Sequence, residues 1–231
     1  GNTVVIKPSE VTPLTTLALG KVLAEVLPAG VVNVVHGRGA AVGSPLVSHP
    51  RVRMVSLTGS IATGQKLVET SAQTLKRTHM ELGGKAPVIV LDDADLKAVV
   101  EGIRTFGYYN AGQDCTAACR IYAQKGIYDQ LVADLGSAVS TLKMGLQDDP
   151  TTELGPLIYA AHRDRVAGFI DRVREQKHME IVTGGALGDG PGFFYQPTLV
   201  AGARQQDEIV QREVFGPVVS VTPIDDLAQG V

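Results

Sequence analysis

The sequence predicts an α/β fold in which a parallel sheet is covered by helices, and three observations carry that prediction. Short β-branched runs alternate along the chain with segments of helical period, glycine punctuates the joints (26 of 231 residues), and hydrophobic residues make up 44% against 19% charged. The alternation favours strand–helix–strand units, and the composition is that of a folded chain with an ample core. The length suits one large domain or two modest ones, at roughly 100–200 residues each.

Strand-like runs are read at 3–7 (TVVIK), 31–35 (VVNVV), 53–59 (RMVSLTG), 75–82 (LKRTHMEL) and 86–92 (APVIVLD), with helical segments between the first four at 13–27, 40–48 and 60–71. In the first helix Thr12 is the expected N-cap and Pro13 stands where a missing N–H costs nothing. Leu14, Leu17, Ala18, Val22 and Val26 then recur along one face until LPAG stops the helix. Later helices repeat the period through Leu96, Val99, Val100, Ile103 and Phe106, through Tyr128, Leu131, Leu135, Val139 and Leu142, and through Val166, Phe169, Ile170 and Val173. These stripes are expected to be core. The paired glycines of LGGK set the expected boundary, giving domains 1–83 and 84–231. The opening directly into a strand and the uncompleted helical pattern of PIDDLAQGV at the end suggest a piece of a longer protein.

A net charge of −3 argues against capture by nucleic acid or an anionic membrane, either of which needs a dominant excess of Lys and Arg. There is no run of about 18 uncharged apolar residues and no secretory signal pattern, so a cytoplasmic location is expected. Five histidines without ligand spacing predict no metal. The only two cysteines, Cys115 and Cys119, make neither a disulfide framework nor a zinc pattern, which leaves a thiol for chemistry; by composition alone a lone cysteine is more often a small buried hydrophobe than a nucleophile. Cys119, among alanines, is read as packing, with a helical turn able to bring it near Cys115.

Gly112 before Cys115 permits a sharp turn and close ligand approach. A nucleophilic thiol needs a base or an electropositive setting, and Glu81, before Leu-Gly-Gly at a strand end, is the candidate carboxylate; a surface salt bridge explains it equally simply. Gly59 and Ser60 stand between a strand and a helix, where backbone N–H groups and the helix dipole can meet a phosphate; a plain loop would look the same. Lys7 and Glu10 sit at the end of the first strand, where open α/β sheets bind ligands, or are solvated charges.

Taken together, KPSE, LPAGVVNVV, LTGS, ELGGKAP, GQDC and EVFGPV resemble the aldehyde dehydrogenase superfamily over essentially the whole chain, most of all its γ-aminobutyraldehyde (1-pyrroline) dehydrogenases. The resemblance implies part of a Rossmann-like cofactor domain followed by an α/β catalytic domain that bears the thiol. It implies Cys115 as nucleophile and Glu81 as general base. It implies NAD as cofactor, with Lys7, Ser9 and Glu10 at the adenosine ribose, Gly59 and Ser60 near the pyrophosphate, Leu82 alongside, and Glu213 with Phe215 at the nicotinamide ribose. Glu10 would accept from a ribose 2′-OH and repel a 2′-phosphate, favouring NAD over NADP.

The reaction so implied takes a small-molecule aldehyde to its acid through a hemithioacetal and a thioester on Cys115. The substrate expected is 4-aminobutyraldehyde, with the ammonium end paired to Asp114; a turn-forming Asp is the simpler reading. Betaine aldehyde or another ω-amino aldehyde is the alternative. A cofactor-independent thiol esterase and a non-catalytic fragment are the rivals from other classes. The resemblance also implies a homo-oligomeric parent, dimer or tetramer.

Overall fold

A computed structural model describes residues 1–231. It divides into two compact units, Gly1–Leu82 and Gly83–Val231, each α/β. The first unit holds two strand–helix–strand pairs. Strand β1 (Val4–Ile6) leads through helix α1 (Leu14–Val26) to the parallel strand β2 (Val32–Val34). A widened π turn over Gly39–Gly43 and the short helix α2 (Ser44–Ser48) follow. Strand β3 (Met54–Gly59), helix α3 (Ile61–Ala72) and strand β4 (Arg77–Leu82) make the second pair, again parallel, with Thr58 opposite Glu81 and Gly59 opposite Leu82.

Two expectations fail here. Thr12 does not cap α1: Leu17 N–H bonds Pro13 C=O at 3.0 Å, so Pro13 occupies the cap and Thr12 lies outside the helix. The apolar stripe of α1 is not core either. Leu14 is 76% and Val26 70% exposed, and no element of the first unit packs over that face.

The second unit supplies the buried interior. Strand β5 (Pro87–Val90), helix α4 (Leu96–Phe106), strand β6 (Arg120–Gln124) and helix α5 (Lys125–Ser140) come first; helix α6 (Ala160–Arg174), strands β7 (Glu180–Thr183) and β8 (Thr198–Ala201), helix α7 (Glu208–Gln211), strand β9 (Val218–Ile224) and helix α8 (Leu227–Gly230) complete it. The sheet order is β5-β6-β9-β8-β7, parallel except where β7 meets β8. Leu131, Leu135 and Val139 of α5 and Val166 and Ile170 of α6 are fully buried, as their spacing predicts; Phe106, the end of the α4 stripe, is exposed. Asp95 caps α4 by accepting from Ala98 N–H at 3.2 Å. No helix is long and apolar enough to cross a membrane.

Candidate active site

Cys115 is exposed on a turn that follows α4 and precedes β6. The chain reaches it through three successive left-handed residues, Asn110 (φ 51°), Ala111 (φ 56°) and Gly112 (φ 68°). Two of the three carry a Cβ, so this is strained backbone, held only where its surroundings over-determine it. They do. Asn110 Nδ2 donates to Gln113 C=O at 3.0 Å, Gln113 Nε2 returns a bond to Asn110 C=O at 3.1 Å, and Gln113 Oε1 accepts from Ile158 N–H at 3.0 Å. Gly112 is required twice over, by its φ and because a β-carbon there would strike the Gly216 carbonyl. Tyr108, fully buried, donates its hydroxyl to Thr198 C=O at 2.9 Å, and burial raises its pKa.

Asp114 is the turn former. Its Oδ1 accepts from Thr116 N–H and from Thr116 Oγ1, both at 3.0 Å, the local geometry favoured by a short acidic side chain beside glycine. Cys119 is not a helical turn away from Cys115, because residues 113–119 are non-helical; its carbonyl accepts from Ser220 N–H at 3.0 Å and leads the chain into β6.

Beside Cys119 lies a residue to which the sequence drew no attention. Burial lowers the pKa of Lys85, with Arg120 adding to the shift and the Cys119 thiol and Glu213 carboxylate opposing it. Its Nζ is shut off from solvent and has no hydrogen-bond partner.

Glu213 and Phe215 stand on the loop between α7 and β9. The Glu213 carboxylate accepts from Gly84 N–H at 3.2 Å and lies where a Gly83 β-carbon would be. The two glycines of LGGK thus make room for an acid 129 residues away in sequence. Phe215 has φ 54°, and Val214 between the two is buried. Three side-chain donors of α6 hold this loop: His162 Nε2 meets Phe215 C=O at 2.6 Å, and Arg165 donates to Val214 C=O and Glu213 C=O, each at 2.6 Å.

In the first unit, Lys7 and Glu10 come together as an ion pair at 3.6 Å, and Lys7 Nζ donates to Pro8 C=O at 2.7 Å. A local backbone hydrogen bond, with help from Lys7 and Arg38, lowers the Glu10 pKa. Ser9 Oγ accepts from Val11 N–H at 3.4 Å. Ser60 caps α3 by accepting from Thr63 N–H at 3.3 Å, directly after Gly59 ends β3. The Leu82 side chain sits over Gly64, where any β-carbon would collide with it. Glu81 is exposed on β4, 3.2 Å from His79 Nε2, whose Nδ1 lies 3.1 Å from Ser56 Oγ.

Sequence reasoning missed Lys85, His162 and Arg165. His162 carries a legible signal: it falls on the buried side of α6, four residues before Val166, and a polar ring in that place needs a partner.

The family model described as "Aldehyde dehydrogenase family" matches residues 1–231. A lactaldehyde dehydrogenase of Escherichia coli (strain K12) is 44% identical over 233 residues, covering 100% of this chain and 48% of that protein. A betaine aldehyde dehydrogenase of Bacillus subtilis (strain 168) is 40% identical, covering 96% and 46%. Among solved structures, E. coli lactaldehyde dehydrogenase superposes with a TM-score of 0.96 over 100% of this chain and 48% of that one, at 44% identity. Staphylococcus aureus betaine aldehyde dehydrogenase in complex with NAD+ gives 0.96 over 99% and 46%, at 36% identity. The chain spans about half the length of the curated relatives it matches. It belongs to the aldehyde dehydrogenase family.

Proposed function

We propose that the protein carrying this chain oxidises a small aldehyde to its carboxylic acid with NAD, through a thioester on Cys115. The single observation that carries the reading is the exposed thiol of Cys115 on a turn of strained, fully tied backbone, in a chain whose relatives are aldehyde dehydrogenases.

The Cys115 thiolate adds to the aldehyde carbon, and the carbonyl electrons move to oxygen; the Cys115 backbone N–H is the donor assigned to that oxyanion. Collapse of the oxyanion expels the former aldehyde hydrogen with its electron pair, leaving a thioester. NAD, when bound, supplies the acceptor for that hydride. Glu81 takes a proton from water, the hydroxyl adds to the thioester carbon, and the thiolate leaves with the acid released. His79, with its Nε2 3.2 Å from Glu81 Oε1, orients the base.

The chain has groups of the chemistry that NAD requires. Glu10, poised by Lys7, suits a ribose diol, and the Ser60-capped start of α3 after Gly59 suits a pyrophosphate. Ser9 and Leu82 belong to the same assignment, as do Glu213 and Phe215 for the nicotinamide ribose. S. aureus betaine aldehyde dehydrogenase is a relative solved with NAD+.

For substrate, lactaldehyde and betaine aldehyde dehydrogenases among the relatives favour betaine aldehyde or another short polar aldehyde over 4-aminobutyraldehyde. The test is NADH formation by the full-length protein with betaine aldehyde, lactaldehyde, 4-aminobutyraldehyde and propanal, beside a Cys115→Ser variant. Thiol-dependent NADH with the polar aldehydes is expected; no such signal with any aldehyde overturns the reading.

A further inference from the structure

The loop that carries Glu213 and Phe215 does not hold itself in place. Its Phe215 is left-handed, a conformation that a bulky side chain adopts only under outside constraint. Three consecutive carbonyls, those of Glu213, Val214 and Phe215, each accept from α6, two from Arg165 and one from His162. The two donors lie three residues apart, on one face of the helix. Gly216 packs so closely on that face that a β-carbon would meet Val166 Cγ2 at 2.6 Å. The loop is therefore fixed from one side by a single rigid element.

The chemistry of the clamp suits permanence. Arg165 is always charged and spans two neighbouring carbonyls with its planar fork; its guanidinium lies over the Phe169 ring, 5.2 Å from the centroid. His162 is 9% exposed. Because its Nε2 faces a carbonyl oxygen, that nitrogen must carry the proton. Burial lowers the His162 pKa, the hydrogen bond to the Phe215 carbonyl opposes that shift, and the nearby Arg165 charge adds to it. Nε2–H donates to the Phe215 carbonyl.

We propose that His162 and Arg165 are positioning residues that fix the 213–215 backbone, so that the Glu213 carboxylate stays docked against Gly83 and Gly84 and meets the nicotinamide ribose in one orientation. The inference rests on the proposed function, and on Glu213 as a ribose contact in particular. It adds two residues that touch neither aldehyde nor NAD yet set NAD affinity. The Cys115 turn has ties of its own through Asn110, Gln113 and Ile158 and meets the far end of the clamped loop where Gly112 backs on the Gly216 carbonyl, so chemistry confined to the thiol depends on the clamp less than NAD binding does.

The test uses the full-length protein and three readouts: the NAD dissociation constant by titration calorimetry, KM and kcat for NADH formation, and cofactor-free hydrolysis of 4-nitrophenyl acetate by Cys115. His162→Ala and Arg165→Met should each raise Kd and KM for NAD on the order of tenfold, the size expected for losing one or two strong hydrogen bonds. Aldehyde KM and ester hydrolysis should change far less. His162→Gln, which keeps an N–H donor, and Arg165→Lys, which keeps the charge, should recover most of the loss and keep the test open if the harsher variants do not fold. Unchanged NAD affinity in folded variants, or equal losses in NADH formation and ester hydrolysis, overturns the clamp. A wild-type protein with no NADH formation overturns the proposed function and the clamp with it, whereas wild-type activity indifferent to all four substitutions overturns the clamp alone.

Discussion

The carboxylate of Glu213 occupies the space that a β-carbon on Gly83 would need, and its Oε1 accepts from the next N–H, that of Gly84, at 3.2 Å. The atoms in the way are the tip of a flexible side chain, so Gly83→Ala should fold and push the carboxylate aside. KM for NAD should rise on the order of tenfold, with the thermal midpoint nearly unchanged. Steady-state kinetics beside a melting curve checks both halves.

Gly112→Ala should act the other way, on the fold first. The new methyl would meet a backbone carbonyl at a left-handed position, a strain of about 1–3 kcal/mol before any clash is relieved. At roughly 2–4 °C per kcal/mol for a domain of 150–250 residues, the midpoint should fall by several degrees. Ester hydrolysis by Cys115 should fall with it, because the same turn presents the thiol.

Ser60 has two assigned tasks that a single substitution separates. Its hydroxyl caps α3, and it is placed near the NAD pyrophosphate by the proposed function. Aspartate caps as well as serine but repels a pyrophosphate. Ser60→Asp should therefore keep the melting midpoint and weaken NAD binding, whereas Ser60→Ala should cost about 1 kcal/mol of local stability. Calorimetric titration with NAD distinguishes them.

Lys85 ties stability to pH. Its folded pKa lies below its unfolded value near 10.5, chiefly from burial. Between the folded pKa and 10.5 the unfolded chain binds the extra proton, so raising the pH through that window stabilises the fold, and the cost of the buried charge is complete below it. Lys85→Met removes that cost. The variant should melt higher than wild type at pH 7, and the gap should close as pH approaches 10.5. A gap independent of pH would show that Lys85 acts by packing alone.

Asp114 discriminates substrates. Its Oδ1 is spent on Thr116, so Asp114→Asn, which retains a carbonyl acceptor, should preserve the turn. If the charge also recognises a cationic aldehyde, KM for betaine aldehyde should rise far more than KM for propanal. Equal changes would leave Asp114 a turn former only.

Much of this was legible in the sequence for a physical reason: period and punctuation report local backbone. The strands at 31–35 and 53–59 and the helices through Leu135 and Val166 all follow from short-range patterns. What could not be read is long-range. Nothing near Gly83 says that Glu213 will fill its missing side chain, and nothing near Phe215 says that α6 will hold it. Thr12 failed as a cap because Pro13 took that place itself. The α1 stripe failed as core because period shows which residues share a face, not whether anything covers it. Glu213 and Phe215 entered only through family resemblance, since by chemistry alone they are a surface acid and a core ring.

The uncovered stripe of α1 has a wider consequence. None of the fully sequestered apolar side chains, from Val90 onward, belongs to residues 1–82, so the amide protons of β1 to β4 have little hydrophobic protection behind their hydrogen bonds. In these 231 residues alone, deuterium should enter the first unit well before the β6-β9-β8 centre of the second, and a protease should trim the chain from that side.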